Sequence, residues 1–238
     1  YESGSYNYDY YVIGKSKNGE ELRVLLVATP NEGIEALMSV LSGAGLRPIA
    51  IDIEPLALFR TLDKASNSLV VDIGHLVTQA TVFQDGSPVV TRLIPIGGKS
   101  FTEKIMGALN LEYSEAERVK RQQRGLLVRV GDDGDGDTSL QDQLGELVDE
   151  LARDIRRVAE YYQIQNRDAV IDKIYLTGGG MQLDGFTHLL ASKLDIAVMN
   201  HRRFGVSVAP ALDNAYVDTV FSQLAVAIGL ALHGGDKQ

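Results

Sequence analysis

Leu69–Phe83 reads Leu-Val-Val-Asp-Ile-Gly-His-Leu-Val-Thr-Gln-Ala-Thr-Val-Phe. An apolar run ends in one carboxylate, Asp72, and turns at Gly74. A second β-prone run, Thr78–Phe83, then leads into Asp85-Gly86, a pair that favours tight hairpin turns. The spacing predicts antiparallel strands with Asp72 and Gly74 at their corner. Such a corner offers backbone N–H groups and a carboxylate to a phosphate–metal ligand. Asp-x-Gly is also an ordinary turn, so its meaning depends on the sequence around it.

The chain has 238 residues, enough for one large domain or two small lobes with a sizeable core. With 45% hydrophobic and 23% charged residues it predicts a folded globular protein. Its net charge of −9 argues against broad nucleic-acid binding, which requires a basic face. It has no cysteine, which excludes disulfides and thiolate metal sites. No apolar run approaches transmembrane length and no signal peptide is visible, so the expectation is a cytoplasmic protein without direct membrane insertion. The first residue is Tyr1 rather than Met, which suggests further chain upstream.

Tyr1, Tyr6, Tyr8, Tyr10 and Tyr11 crowd the start. Tyr6, Tyr8 and Tyr10 share one parity, so a strand would place three rings on one face. That face is expected to be buried on an edge strand; the alternative is a groove for a partner peptide, in which tyrosine supplies rigid contact area. Arg23–Thr29 reads as a buried strand. A helix follows from Pro30-Asn31, with Ile34, Leu37, Met38 and Leu41 on one stripe and Gly43 and Gly45 at its end. Pro48–Ile53 reads as the next strand, giving a strand–helix–strand crossover. Glu54-Pro55 opens a short helix with Leu56, Ala57 and Phe59 on its packing side.

Beyond the hairpin, Pro88–Ile96 is a strand ending at Gly97-Gly98, and Phe101, Ile105 and Leu109 mark an amphipathic helix. Ser114 and Glu117 fit a capping box for a helix over Ser114–Gln123. Gly131–Asp137 is an acidic low-complexity loop. As a calcium loop starting at Asp135 it would place Leu140 where glycine is needed, so a solvated linker is the better reading. Leu140, Leu144, Leu147, Val148, Leu151, Ile155, Val158, Ala159 and Tyr162 form a continuous helical stripe. Lys173–Thr177 is a strand running into Gly178-Gly179-Gly180, where the backbone can approach a ligand closely. Asp184-Gly185-Phe186 begins a helix through Leu194, Ile196–Met199 is a short strand, and Tyr216–Leu232 is a final apolar helix. Its Ala225, Ala227 and Gly229 suit close packing. Hairpins alternating with helices in two sets predict an α/β protein with two related lobes.

Four features stand in one order: Glu54-Pro55-x-Ala57, Asp72-x-Gly74 on a hairpin, Glu117-x-x-Lys120 on a helix, and Gly178–Gly180 before a helix. This order resembles the actin-like ATPase superfamily, which has a ribonuclease H-like fold and includes actin, DnaK-type chaperones and FtsA. The resemblance implies that Asp72 and Gly74 form the second phosphate loop, with Gly97 and Gly98 beside it. Gly178, Gly179, Gly180 and Met181 would meet adenosine, and Glu117 and Lys120 the ribose side. Glu54 and Asp72 would hold Mg²⁺ through water, with ATP as the nucleotide. Ala227 and Gly229 would be the small residues of an interlobe helix.

Longer phrases are similar to the PilM-like family of FtsA-related type IV pilus assembly proteins. They include Leu26-Val27-Ala28-Thr29-Pro30, Ala44-Gly45-Leu46-Arg47-Pro48, Asp52-Ile53-Glu54-Pro55-Leu56-Ala57, Arg92-Leu93-Ile94-Pro95-Ile96-Gly97-Gly98, Glu115-Ala116-Glu117-Arg118-Val119-Lys120 and Ile174-Tyr175-Leu176-Thr177-Gly178-Gly179-Gly180. This likeness implies an inserted small subdomain of lobe one at 1–53, an interlobe helix at 54–67 and a second-lobe core at 68–97 and 171–212. A small second-lobe subdomain would occupy 98–170, and a last interlobe helix and tail 213–238. It also implies a partner, the cytoplasmic tail of a PilN-like inner-membrane protein, held near Tyr6, Tyr8 and Tyr10. Other pilus-platform proteins, self-association and a peripheral position at the inner membrane follow from the same likeness. Two departures favour an adaptor over an active ATPase. The family's first phosphate hairpin does not occur in these residues and is expected upstream, and His75-Leu76-Val77 fills a turn that is Gly-, Ser- or Thr-rich in relatives. Leu and Val resist positive φ and offer no hydroxyl. The alternative reading is an FtsA-like, filament-forming ATPase of cell division; a carbohydrate kinase lacks a persuasive sugar-binding carboxylate.

Overall fold

The computed structural model describes residues 2, 4–15, 19–62, 67–127, 138–166, 169–202 and 206–233. Tyr1 and the acidic loop 131–137, including the calcium reading tested on it, lie outside the described residues. The chain divides into two compact units, Tyr1–Ile53 and Glu54–Gln238.

In the first unit, strands β1 (Tyr6–Lys15) and β2 (Leu22–Pro30) pair antiparallel, and helix α1 (Asn31–Gly43) follows. Pro30 stands at the N-cap of α1, where its fixed φ suits entry and its missing N–H costs nothing. The register sets Tyr8 opposite Ala28, Tyr10 opposite Leu26 and Val12 opposite Val24, which puts these side chains on one face. That face is open: Tyr8 is 73% and Tyr10 64% exposed, so the expected buried aromatic face is corrected to an exposed one. Arg23–Thr29 is likewise not a buried strand. Only Leu25, Val27 and Thr29 are half-covered, because among the described elements of this unit α1 packs on β2 and no second layer covers its other face. Leu37 of the predicted α1 stripe is exposed. Residues 46–53 form no strand, and Ile49 is 90% exposed, so the predicted crossover is replaced by a hairpin and a helix. An apolar run becomes a strand only where another strand offers its backbone groups.

No described residue of this unit is fully buried. A segment of this size without a core cannot offset its conformational entropy. Expressed alone, residues 1–53 are therefore expected to show no cooperative urea transition, whereas residues 54–238 retain one. A sigmoidal unfolding curve for 1–53 would contradict this.

The second unit is built on a mixed sheet of order β5-β4-β3-β6-β7. Its strands are β3 (Asn67–Ile73), β4 (Thr78–Gln84), β5 (Ser87–Ile94), β6 (Lys173–Thr177) and β7 (Val198–Asn200). The β3–β4–β5 meander is antiparallel, and β6 and β7 add in parallel. Asp85 (φ 50°) and Gly86 (φ 81°) make the β4–β5 turn, the paired positive φ of a two-residue hairpin. The helices are α2 (Glu54–Phe59), α3 (Gly98–Leu109), α4 (Tyr113–Gln122), α5 (Thr138–Gln165), α6 (Phe186–Ala191) and α7 (Asn214–Ala231). The α6 helix starts at the predicted place but stops short of Leu194.

Alternation in β3 and β4 gives the sheet two apolar faces. On one, Leu69, Val71, Ile73, Ala80 and Val82 join the stripe of α5, with Leu144, Val148, Leu151, Ile155 and Tyr162. On the other, Val70, Phe83 and Tyr175 meet Leu58 of α2, Leu62 just after it and Ala225 of α7. Phe59 stacks on Phe83 at 4.6 Å. The α7 residues that turn inward are Phe221, Ala225 and Gly229, one helical turn apart; Ala227, expected as a packing residue, is exposed. A methyl group on Gly229 would fall onto the Ala57 carbonyl, so α2 and α7 touch backbone to backbone there. Gly229→Ala is expected to cost about 2 kcal/mol by overpacking, measured by denaturant unfolding.

Candidate functional site

Three glycine-bearing turns converge at the C-terminal ends of β3 and β6. The first is the β3–β4 turn. Gly74 N–H donates to the Val77 carbonyl (3.0 Å), and a Cβ at Gly74 would lie 2.9 Å from that oxygen. No residue from 74 to 77 has positive φ, so Leu76 and Val77 fit this turn without the strain the sequence suggested. Among the described residues, the N–H groups of His75, Leu76 and Val77 donate to no protein acceptor.

The second turn is Gly97-Gly98 at the start of α3. Gly98 N–H donates to the Gly74 carbonyl (2.9 Å) and Lys99 N–H to the His75 carbonyl (2.8 Å), which ties the two turns together. A Cβ at Gly97 would sit 2.6 Å from the His75 carbonyl oxygen. The third is Gly178–Gly180. Gly178 has φ 88° and lies against Asp72 and the Ile73 backbone, and Gly180 against the Ile73 side chain. Asp72 and Thr177 are cross-strand neighbours in the parallel β3–β6 pair, which is why these turns meet.

Together the turns floor a cleft of about 330 Å³, lined by Gly74, His75, Gly98, Phe101, Glu117, Lys120, Arg121, Gly179, Gly180, Gln182, Leu183 and Gln223. The structure therefore brings Gly74, Gly98, Glu117, Lys120, Gly179 and Gly180 to one cavity. Asp72 and Gly178 pack against each other and are not among its lining residues, Gly97 supports the hairpin, and Met181 packs toward the core instead of lining the cleft. Tyr6, Tyr8 and Tyr10 belong to the other unit. Sequence reading singled out His75 only as part of the hairpin turn, and it missed Arg121, Gln182 and Gln223. The two glutamines are linked, Gln223 Nε2 donating to Gln182 Oε1 (2.7 Å), and no sequence motif marks two distant amides as neighbours.

The Glu117–Lys120 pair is internally engaged. Lys120 Nζ donates to Glu117 Oε2 (2.7 Å), Thr102 Oγ1 (2.7 Å) and the Gly98 carbonyl (2.9 Å), using all three of its donors. Glu117 also accepts from Arg121 Nε (3.0 Å) and the Thr102 hydroxyl (2.7 Å). Burial raises the carboxyl pKa, but the hydrogen bonds from Lys120, Thr102 and Arg121 outweigh it and hold Glu117 at about 2. The predicted capping box is absent: the N-cap of α4 is Glu112, without a side-chain cap bond, because Thr102 and Lys120 claim Glu117.

Asp72 is shifted the other way. Burial, then the charge of Glu54, pushes its carboxyl up to about 6. A raised folded-state pKa makes the ionised form costly: the contribution to stability is present below the ordinary 3.8 and lost as pH rises through about 6. Asp72→Asn is therefore expected to stabilise the fold by about 2 kcal/mol near neutrality, with the gain vanishing in acid. Thermal melts at the two pH values check this. Among the described residues no three His, Cys, Asp or Glu side chains form a metal cluster. Asp72 and Glu54 alone suit an ion held mainly by ligand phosphates and water.

This fold and glycine-floored cleft define an α/β protein of the actin-like ATPase class. The chain belongs to the family described as type IV pilus assembly protein PilM, whose model matches residues 3–235. It is similar to a chain of the solved PilM–PilN type IV pilus biogenesis complex, at 26% identity and a TM-score of 0.79, covering 97% of this chain and 67% of that one. An MreB protein of Spiroplasma citri bound to AMPPNP shares the fold at 15% identity and a TM-score of 0.63, covering 88% of this chain and 66% of that one. Cell division protein FtsA of Bacillus subtilis is 34% identical over 106 residues, covering 43% of this chain and 24% of that protein. FtsA of Staphylococcus epidermidis is 25% identical over 175 residues, covering 68% of this chain and 38% of that protein. The chain thus spans well under half the length of these curated relatives. No described helix is long and apolar enough to cross a membrane.

Proposed function

We propose that this protein is an actin-like adaptor of type IV pilus assembly. It binds the cytoplasmic tail of a PilN-like inner-membrane protein and holds ATP with little or no hydrolysis. The observation that carries this reading is the likeness, over 97% of the chain, to a component of the PilM–PilN complex. The family match and the fold support the pilus role. The tail and other platform proteins bring the protein to the inner membrane, where self-association can occur; it binds no nucleic acid and does not itself enter the bilayer. Residues 1–53 act as the inserted subdomain of lobe one, with 54–67 contributing the first interlobe helix through α2, and 213–238 the last interlobe helix, α7, and a tail. The second-lobe core spans 68–97 and 171–212, and its small subdomain 98–170.

The cleft residues fit a nucleotide. Gly178 and Gly180 let their loop press against Asp72 and Ile73 beside the cleft, and the N–H groups of His75, Leu76 and Val77, which donate to no acceptor among the described residues, suit phosphate oxygens. Asp72, Gly74, Gly97 and Gly98 form the phosphate side. Gly178, Gly179, Gly180 and Met181 form the adenosine side, with Glu117 and Lys120 at the ribose. Bound Mg²⁺ would neutralise phosphate charge, with Asp72 and Glu54 holding its waters. Because Lys120 is already saturated with acceptors, it stiffens the cleft wall more than it clamps a ligand. The adjacent carboxylates Asp72 and Glu54 favour a second reading, an FtsA-like ATPase in which Asp72 orients the attacking water.

The open Tyr8–Tyr10–Leu26 face is the proposed contact for the tail, since exposed aromatic side chains on an unshared sheet edge suit an added strand. Tyr8→Ala with Tyr10→Ala in the full-length protein is expected to weaken binding of a PilN-type tail peptide at least about tenfold, read by fluorescence anisotropy. Unchanged affinity would remove this face from the interface.

A further inference from the structure

His201, immediately after β7, is 5% exposed and takes no part in the cleft described above. Its Nε2 lies 3.1 Å from the Thr61 carbonyl and 3.1 Å from the Thr61 hydroxyl oxygen. A carbonyl only accepts, and the Thr61 hydroxyl donates to the Leu58 carbonyl (2.7 Å), so Nε2 carries the proton. Nδ1 is then an acceptor, and the Thr177 hydroxyl, 3.0 Å away, is its donor. Phe221 of α7 stands edge-on to the ring at 5.0 Å.

The Thr177 hydroxyl has one proton and a second acceptor, the Ser222 carbonyl at 3.3 Å. That carbonyl also accepts the Gly178 N–H (3.2 Å), the first amide of the glycine loop. Two hydrogen-bond states follow. With neutral His201, Thr177 donates to Nδ1 and the Ser222 carbonyl serves Gly178. With imidazolium, Nδ1–H donates to Thr177, whose proton turns fully to the Ser222 carbonyl, which then shares its lone pairs between Thr177 and Gly178 and holds the Gly178 N–H more weakly. We propose that His201 is a positioning residue for the glycine loop, its proton state being transmitted through Thr177 and the Ser222 carbonyl to the Gly178 N–H.

Among the described residues, the groups in contact with the ring are Thr61 after α2, Thr177 of β6 and Phe221 of α7, and none of these is charged. Asp72 of β3 neighbours Thr177 across the ladder, with Glu54 beside it. Burial lowers the imidazole pKa from its ordinary 6.5 and the Thr61 carbonyl partly opposes this, so the neutral state holds at neutral pH. The effect on a ligand rests on the nucleotide reading; the coupling between His201 and Gly178 does not.

The test is nuclear magnetic resonance of the ¹⁵N-labelled protein, following the His201 ring nitrogens and the Gly178 amide from neutral to acidic pH. Expected results are the Nε2–H tautomer at neutrality and a Gly178 shift with the midpoint of His201. The Gly178 response is lost in Thr177→Val, kept in Thr177→Ser, and kept in Asp72→Asn, which removes the neighbouring titration. An Nδ1–H tautomer, a Gly178 amide indifferent to His201, or a response that survives Thr177→Val would each overturn the proposal. Should Thr177→Val not fold, the tautomer and the wild-type titration still decide it. In the full-length protein, ATP with Mg²⁺ is expected to shift the His201 ring signals. ATP that binds and leaves them unmoved would overturn the link to the ligand. Failure of ATP to bind would overturn the nucleotide reading alone, because the ligand-free arms decide the coupling separately.

Discussion

Gly178→Ala is expected to lower stability by about 4 kcal/mol, one of the largest effects of any single substitution in this chain. Two costs combine. The backbone at Gly178, with φ 88° and ψ 165°, lies in a region essentially reserved for glycine, at about 2 kcal/mol for another residue. The new methyl would also overlap the Asp72 carboxylate and the Ile73 backbone, for about another 2 kcal/mol of overpacking. Neither neighbour can yield easily, because Ile73 is locked in the β3–β4 ladder and Asp72 is the cross-strand partner of Thr177. Gly179→Ala is the control: its φ is not positive, and a Cβ there would make one ordinary contact, with Gln223 Cγ at 3.8 Å. Urea unfolding should separate the two variants by most of that energy. Equal stability would mean that the loop's conformation is not what Gly178 protects.

The second large effect is expected at the Glu117–Lys120 clasp. Lys120→Met leaves the Glu117 carboxylate, only 18% exposed, without its principal cation. Removing one partner of a well-covered pair costs about 3–5 kcal/mol when burial is complete; partial solvent access and the remaining Arg121 bond reduce this to about 2 kcal/mol. Adding Glu117→Gln to Lys120→Met should recover part of the loss, since no uncompensated charge then remains. The pH dependence has a defined sign. Glu117 in the native protein lies near 2 against an ordinary 4.5, so its contribution is present above 4.5 and is lost as pH falls through about 2. Lys120→Met should therefore flatten acid unfolding between those limits. An unaltered acid limb would show that the clasp is not what depresses Glu117.

Much of the second unit was legible because its signals are local. Leu69–Gly86 carries strand alternation, a corner glycine and the Asp85-Gly86 turn, and all three stand where the residues place them. The α5 stripe from Leu140 to Tyr162 was legible for the same reason, a helical period sustained along one buried face. What could not be read depends on neighbours distant in sequence. Glu117 looked like a capping residue for Ser114, because its competitors Thr102 and Lys120 meet it only after α3 and α4 pack. Pro48–Ile53 looked like a strand, because apolar β-branched residues favour one and only the fold decides whether a partner strand is present. The inward residues of α7 proved to be Ala225 and Gly229, a phase set by the approach of α2 to the Ala57 carbonyl. His201 carried no sequence signal at all. A lone histidine after a short strand becomes informative only when Thr61 and Thr177 close around it.

The opposite pKa directions of Asp72 and Glu117 connect the cleft's chemistry to the proposed function. Glu117 is a satisfied carboxylate that fixes a wall. Asp72 is strained by burial beside Glu54, a cost to folding that a bound cation would relieve. On the proposed reading, this arrangement on a hairpin capped by His75-Leu76-Val77 holds a charged ligand more than it transforms one. No side chain of that turn brings a hydroxyl to position a nucleophile.

Phosphate release by the full-length protein under saturating ATP and Mg²⁺ tests this account most directly. The account predicts saturable ATP binding, weakened by Asp72→Ala, with phosphate release no faster than in the protein-free control. Sustained phosphate release that is abolished by Asp72→Ala would contradict it and establish the cleft as a working ATPase.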